Sequence, residues 1–357
     1  MNPAQNLAEG AVGVALLHLE NGCWQDAFTA LEAAVADGVS IADGASLYFG
    51  APALAFVLAA ADHPGLARAK ATAAAGTALV TQRRLEAAHR RIDHRQHTPY
   101  GEFDLIRGLT GLGVALRRIG DQALLREILA YLVRLTEPIH GLPGWWCRTG
   151  PNRTRPGPAG GHSNHGLAHG ITGPLALLAL ALLDGVEVDG QRAAIIRICA
   201  WLDQWEHRDD NGRWWPEIVS LRQLEQDGAG LGGPTRASWC YGTPGIARAQ
   251  QLAARALDEP VRQRAAEAAF TSCLTDPRQA DRLTGRGLCH GTGGLLATGR
   301  RVAADAPTPV PLTPLLLRHQ RATAAPDEPD GLLDGAAGVA LATAGVTSSW
   351  DACLLLC

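Results

Sequence analysis

"HGITGPLALLA", residues 169–179, sets a Gly-x-x-Gly pair in front of a run with no charged face. Glycine accepts close backbone approaches that a Cβ forbids, so the pair reads as a tight turn leading into a buried helix. The same build recurs along the chain. It appears as "EGAVGVALLHL" from Glu9, "FGAPALAFVLA" from Phe49, "RGLTGLGVALR" from Arg107, "YGTPGIARAQQ" from Tyr241, "HGTGGLLATGR" from His290 and "DGAAGVALATA" from Asp334. With the first, these make seven units, whose leading glycines fall at positions 10, 50, 108, 170, 242, 291 and 335. Only the second unit departs, with Ala53 in place of its second glycine, a change that affects packing.

Self-similarity of this kind marks a repeat architecture. Between the turns lie segments such as "DAFTALEAAVADG" (26–38) and "LLREILAYLVRL" (124–135), whose apolar residues recur at i, i+3 and i+4. That spacing predicts amphipathic helices packed outside the apolar ones. The expected fold is all-α: an α/α toroid of about seven inner and seven outer helices, forming one domain over residues 1–357. No run of alternating β-branched residues supports a sheet-based fold.

Composition narrows the partners. A formal net charge of −3, with acidic and basic residues interspersed, gives no electrostatic footprint for nucleic acid or anionic lipid. The N-terminus lacks a basic region followed by an apolar core, so it does not read as a secretory signal. The longest apolar run, "PLALLALALL" (174–183), closes at Asp184 and falls short of the roughly 20 residues a membrane span needs. Eight cysteines in such a chain point to a reducing cytoplasm, with thiols serving as core residues or metal ligands.

In a ring of repeats all the glycine turns gather at one end, so the residues before each leading glycine converge. Three such places carry chemistry: Cys240 with Tyr241 in "SWCYGTPG", Cys289 with His290 in "GLCHGTGG", and His169 in "GLAHGITG". Two thiols and an imidazole make a Cys2His set for zinc that leaves the fourth tetrahedral position open, the pattern of a catalytic metal. Two thiolates already balance the ion's charge, so a substrate thiolate bound there stays nucleophilic, and a coordinating thiol is deprotonated outright. Attack on an activated alkene then requires charge stabilisation and a proton on carbon. His169 is the candidate acid/base, and Asp104 in "YGEFDLIRGLTG" its orienting carboxylate. Arg236 in "PTRASWCYG" is placed to neutralise an oxyanion or to anchor Asp104. The plain alternatives are a helix cap for Asp104, a structural ion pair for Arg236 and a satisfied core histidine for His169. His162 and His165, in "GGHSNHGLAHG", compete for the acid/base role.

Taken together, "EFDLIRGLTG", "GLAHGITG", "SWCYGTPG", "LCHGTGG" and "LLDGAAGVALA", in that order, resemble the lanthipeptide cyclases, the LanC family. The resemblance implies an α/α toroid with zinc held by Cys240, Cys289 and His290. It also implies acid/base chemistry at His169 and catalytic roles for Asp104, Arg236 and Tyr241, while Trp239 packs the site. The implied reaction is addition of peptide cysteine thiols to dehydroalanine or dehydrobutyrine, forming lanthionine and methyllanthionine rings. The implied substrate is a dehydrated precursor peptide with a leader sequence. A separate dehydratase and a transporter would be its partners, since the toroid begins almost at Met1 and no region for either is evident. Two other classes fit the residues: another zinc-thiolate alkylating enzyme, using glutathione or a prenyl group, and a non-catalytic toroid that scaffolds peptide. A glycosidase fits least, because it needs two carboxylates across a groove and the turns offer His, Tyr and Cys.

Overall fold

The computed structural model describes residues 2–150, 157–345 and 348–357. Each glycine turn opens a helix, and a second helix follows it. The pairs are α1 (Ala11–Glu20) then α2 (Trp24–Val35), α3 (Ala51–Leu58) then α4 (Ala67–Asp93), α5 (Leu109–Ile119) then α6 (Gln122–Leu135), and α7 (Thr172–Leu183) then α8 (Gln191–Gln204). The short α9 (Leu221–Glu225) precedes α10 (Thr243–Leu257) and α11 (Pro260–Cys273). Then come the short α12 (Pro277–Ala280), α13 (Thr292–Asp305), α14 (Thr313–Arg321) and α15 (Ala336–Ala344).

Burial follows the apolar pattern. Every residue of α3 is buried, and so is every residue of α7 from Thr172 to Leu182, whereas α2 buries only Ala27, Leu31 and Ala34. The buried helices pack in a cycle: α1 on α3, α3 on α5, α5 on α7, α7 on α10, α10 on α13, α13 on α15, and α15 back on α1. Against them pack α2, α4, α6, α8, α11 and α14. The sequence predicts about seven of these second helices, and the described residues contain six.

After α15 the chain turns inward instead. A 3-10 turn, Trp350–Leu354, packs against α5, and Trp350 through Leu356 are all buried. The stretch "WDACLLLC" is apolar but for Asp351, and its inward course is fixed by partners elsewhere in the chain. Its carbonyls are satisfied by side chains from the ring. The Tyr48 hydroxyl donates to Cys353 (2.8 Å), the Trp239 indole N–H to Leu354 (2.9 Å), Arg248 Nε to Leu356 (3.0 Å) and Arg117 Nη1 to Cys357 (2.7 Å). Asp351, fully buried, accepts from Arg301 Nε at 2.7 Å.

Arg248 is 1% exposed and also pairs with Asp305 at 2.8 Å. Removing the guanidinium leaves the buried Leu356 carbonyl without its donors, while Asp305 keeps Arg255 at 2.7 Å, so the cost is that of buried hydrogen bonds left unmade, about 1–3 kcal/mol. Arg248→Met, which keeps chain length and loses charge, is therefore expected to lower the unfolding free energy by that amount, read as a lower urea midpoint. A midpoint unchanged from wild type would contradict this reading of the inward segment.

Four three-residue strands form two ribbons that the sequence reading passed over. They are β1 (His162–Asn164), β2 (His207–Asp209), β3 (Gly212–Trp214) and β4 (Ile218–Ser220). β1 pairs antiparallel with β4, setting Asn164 opposite Ile218, and β2 pairs antiparallel with β3.

At one end of the helix cycle the turns are tied to one another by backbone hydrogen bonds. Leu105 N donates to Ala168 O (3.1 Å), Ala168 N to Cys240 O (3.4 Å), Cys240 N to Cys289 O (3.2 Å), Cys289 N to Leu333 O (2.9 Å), Leu333 N to Ala8 O (2.9 Å) and Leu7 N to Tyr48 O (2.9 Å). This belt uses the same position of the repeat in most turns, two residues before the leading glycine. Gly242 shows why that glycine is required. Its φ is +131°, and a Cβ there would lie 2.2 Å from the Arg236 carbonyl oxygen.

Candidate metal centre

Cys240 and Cys289 are consecutive members of the belt, so the hydrogen bond between their backbones fixes how far apart their side chains stand. His290 follows Cys289 directly. One ligand atom from each of the three lies within 4.8 Å of the others. Cys240 is buried, while Cys289 and His290 are partly exposed, so the group sits at an opening. In the free chain these groups share protons. The hydrogen bond with Cys289, and then that with His290, holds the Cys240 thiol far below its ordinary value, against burial. The same bond to Cys240, together with burial, pushes the Cys289 thiol up, and the hydrogen bond to Cys240 raises His290. A pocket that stabilises a thiolate beside a second thiol and an imidazole is chemically suited to a borderline-soft divalent ion such as zinc.

Two neighbours support the group. Ser238 Oγ lies 3.7 Å from Cys240 Sγ, and its hydroxyl also donates to the Tyr241 carbonyl. Asp334 Oδ1 lies 3.7 Å from His290 Nδ1, the kind of outer carboxylate that steadies a ligating imidazole. A second group, His18, Cys23 and Asp26, lies near the junction of α1 and α2 with the last two residues exposed. Five further cysteines, Cys147, Cys199, Cys273, Cys353 and Cys357, have thiols pushed up by burial, as core residues do.

Beside the thiols stands a histidine and carboxylate pair. Asp104 is fully buried in the turn before α5, and its Oδ2 lies 2.8 Å from His169 Nδ1. Its Oδ1 accepts from the Arg107 backbone N–H at 2.8 Å. With Nδ1 occupied, Nε2 is the nitrogen of His169 left to exchange a proton, and the side chain is 27% exposed. The His169 ring lies against Tyr100 and Tyr241, with centroids 5.5 and 6.0 Å away. Burial pushes Tyr241 up to about 12 and Tyr100 higher, so both phenols keep their protons at neutral pH.

Other placements differ from expectation. Arg236 does not anchor Asp104, whose oxygens are taken by His169 and the Arg107 N–H. Arg236 Nε is buried without a hydrogen-bond partner among the described residues, and its charge helps to lower Cys240. His165 does not compete for acid/base work. Its Nδ1 is bonded to Pro216 O (3.0 Å) and its Nε2 to the Trp201 indole N–H (2.9 Å), and burial lowers it to about 4. His162 lies in β1, and burial lowers it too. The sequence reading missed Tyr100 and Asn164. Asn164 lies between the two histidines that drew attention, and only its position as a polar residue in a buried stretch could have marked it.

The family model for Lanthionine synthetase C-like proteins matches residues 4–349, and the chain belongs to that family. Among curated proteins it is similar to the nisin biosynthesis protein NisC of Lactococcus lactis subsp. lactis, at 27% identity over 203 residues. That match takes in 55% of this chain and 48% of that protein, so the chain spans about half the length of the curated relative it matches. Among solved structures, a nisin cyclase superimposes with a TM-score of 0.87 at 20% identity, covering 100% of this chain and 93% of that one. This likeness establishes the shared helical fold. Among the described residues no helix is long and apolar enough to cross a membrane.

Proposed function

We propose that this chain is a zinc-dependent lanthionine synthetase. It adds peptide cysteine thiolates to dehydroalanine and dehydrobutyrine, and so closes the thioether rings of a lanthipeptide. One observation carries the reading: the Cys240, Cys289 and His290 group and the carboxylate-held His169 stand on adjoining turns, joined by the hydrogen bond from Ala168 N to Cys240 O. The family membership and the fold likeness to a nisin cyclase support it. In this reading the helix cycle is an α/α toroid forming one domain, and the site lies at its mouth. The substrate is a dehydrated precursor peptide with a leader, delivered in the cytoplasm by a separate dehydratase, with a transporter downstream.

Cys240, Cys289 and His290 would hold the zinc, which supplies a peptide thiolate at neutral pH because a coordinating thiol is deprotonated. The chain's own residues handle the rest. Addition forms one S–Cβ bond, consumes the Cα=Cβ π bond and places one proton on Cα, with no leaving group. His169 Nε2 exchanges that proton, while Asp104 holds Nδ1–H and steadies the imidazolium. Arg236, whose buried Nε has no hydrogen-bond partner among the described residues, balances negative charge near the thiolates.

The test is to incubate zinc-loaded protein with a dehydrated peptide carrying one free cysteine, alongside a second sample containing glutathione. The expected product has unchanged mass and no thiol left to alkylate. Glutathione adduct in place of the ring, or a thiol that persists, would overturn the cyclase reading.

A further inference from the structure

Asn164 is 2% exposed and sits at the end of β1, where the pairing with β4 holds its backbone. Its side-chain Oδ1 accepts from the Gly166 backbone N–H at 2.9 Å. A backbone N–H can only donate, so this bond settles which way the amide faces: oxygen toward Gly166, nitrogen toward the site. The nitrogen then donates to two phenol oxygens, Tyr241 at 2.9 Å and Tyr100 at 3.2 Å. Those oxygens lie 2.7 Å apart, within one hydrogen bond of each other.

Counting protons in this triangle gives a definite result. Two amide hydrogens serve the two phenol oxygens, and one phenol hydrogen bridges them. One O–H is left without a partner in the triangle. Tyr100 is 7% exposed and enclosed, whereas Tyr241 is only partly buried and follows Cys240 in the turn. The bridging hydrogen therefore belongs to Tyr100, and the uncommitted one to Tyr241.

We propose that Tyr100 and Asn164 are positioning residues. They fix the Tyr241 phenol so that its single uncommitted O–H points to the reacting peptide and hydrogen-bonds the carbonyl oxygen that gains negative charge during thiolate addition. The inference rests on the cyclase reading above. A donor set in advance where charge develops contributes to rate because it needs no reorientation during reaction. Without Tyr100 and Asn164 the phenol keeps its hydroxyl but loses its aim.

The variants are Tyr241→Phe, Tyr100→Phe and the double change, with Asn164→Ala as a fourth. Replacing Tyr by Phe keeps ring volume, so packing around His169 is preserved. Removing one such donor lowers kcat by about 10²-fold, and Tyr241→Phe should show a fall of that order. Tyr100→Phe should fall about tenfold, part of the same effect, with KM little changed. Groups that act as a unit are non-additive. The double variant should therefore be no slower than Tyr241→Phe, and zinc content should match wild type throughout. Asn164→Ala should behave as Tyr100→Phe does. Wild-type kcat in Tyr100→Phe, or a double variant slower by the product of the two single effects, would overturn the inference while leaving the cyclase reading intact. A zinc-loaded wild type that closes no ring would overturn the cyclase reading, and this inference with it.

Discussion

Elemental analysis of Cys240→Ala and Cys289→Ala is expected to find protein stripped of zinc, against about one ion per chain in wild type, as a Cys2His site requires. In the proposed site each variant removes one of three donors and one of the two negative charges that would balance the ion. Affinity should fall by more than about 100-fold, the upper end of what losing an outer-shell partner costs. The fold should survive, because the helix cycle is closed by apolar packing and backbone hydrogen bonds that do not involve the thiols. Far-ultraviolet circular dichroism should match wild type. Proton traffic offers a second check. With the Cys289 thiol pushed up in the free chain, loading near neutral pH must expel its proton, so zinc affinity should rise with pH. Calorimetry in two buffers of different ionisation enthalpy would show the release. Zinc retained by both variants would place the metal elsewhere.

His169→Ala should leave zinc binding at the wild-type level and lower cyclisation by about 10²- to 10⁴-fold, the usual worth of a positioned acid/base. Asp104→Asn should fall in the same direction. Asp104 is buried and spends one oxygen on His169 Nδ1, and an amide turned the wrong way would present hydrogens to the nitrogen that must donate. Normal turnover in His169→Ala would move the acid/base role to another group. His165 would not be that group, since both of its nitrogens are already bonded to Pro216 and Trp201.

Much of this was legible in the sequence because the repeat places like with like. A Gly-x-x-Gly pair before an apolar run is a local signal, and six copies of it with one near copy located seven buried helices. Cys240 and Cys289 could be paired from sequence because both stand two residues before a leading glycine, and the belt of hydrogen bonds joins that position from turn to turn. What escaped depends on contacts with no period. Tyr100 lies four residues before Asp104, outside any glycine unit, and Asn164 reads as one more polar residue in a histidine-rich loop. "DACLLLC" carries an ordinary apolar composition. Nothing local says that it turns inward, because the groups that receive it, Tyr48, Arg117, Trp239 and Arg248, are scattered over three different units. Of the two roles open to Arg236, anchoring Asp104 is already filled by nearer groups, His169 and the Arg107 N–H.

The inward-turned segment also sets the order in which the molecule can be completed on the ribosome. Tyr48 waits for an acceptor 305 residues further along, and Trp239, next to Cys240, waits for one 115 residues on. Contacts so remote along the chain form late, since their loops close last. Until α15 has been made, α1 lacks one of its two neighbours in the cycle, and until residues 350–356 follow, the Trp239 indole has no carbonyl to bond. A nascent chain therefore carries unsheltered apolar helix faces through most of its synthesis and depends on whatever shields them. The turn that bears Cys240 therefore reaches its final rigidity only after residues 350–356 have been made.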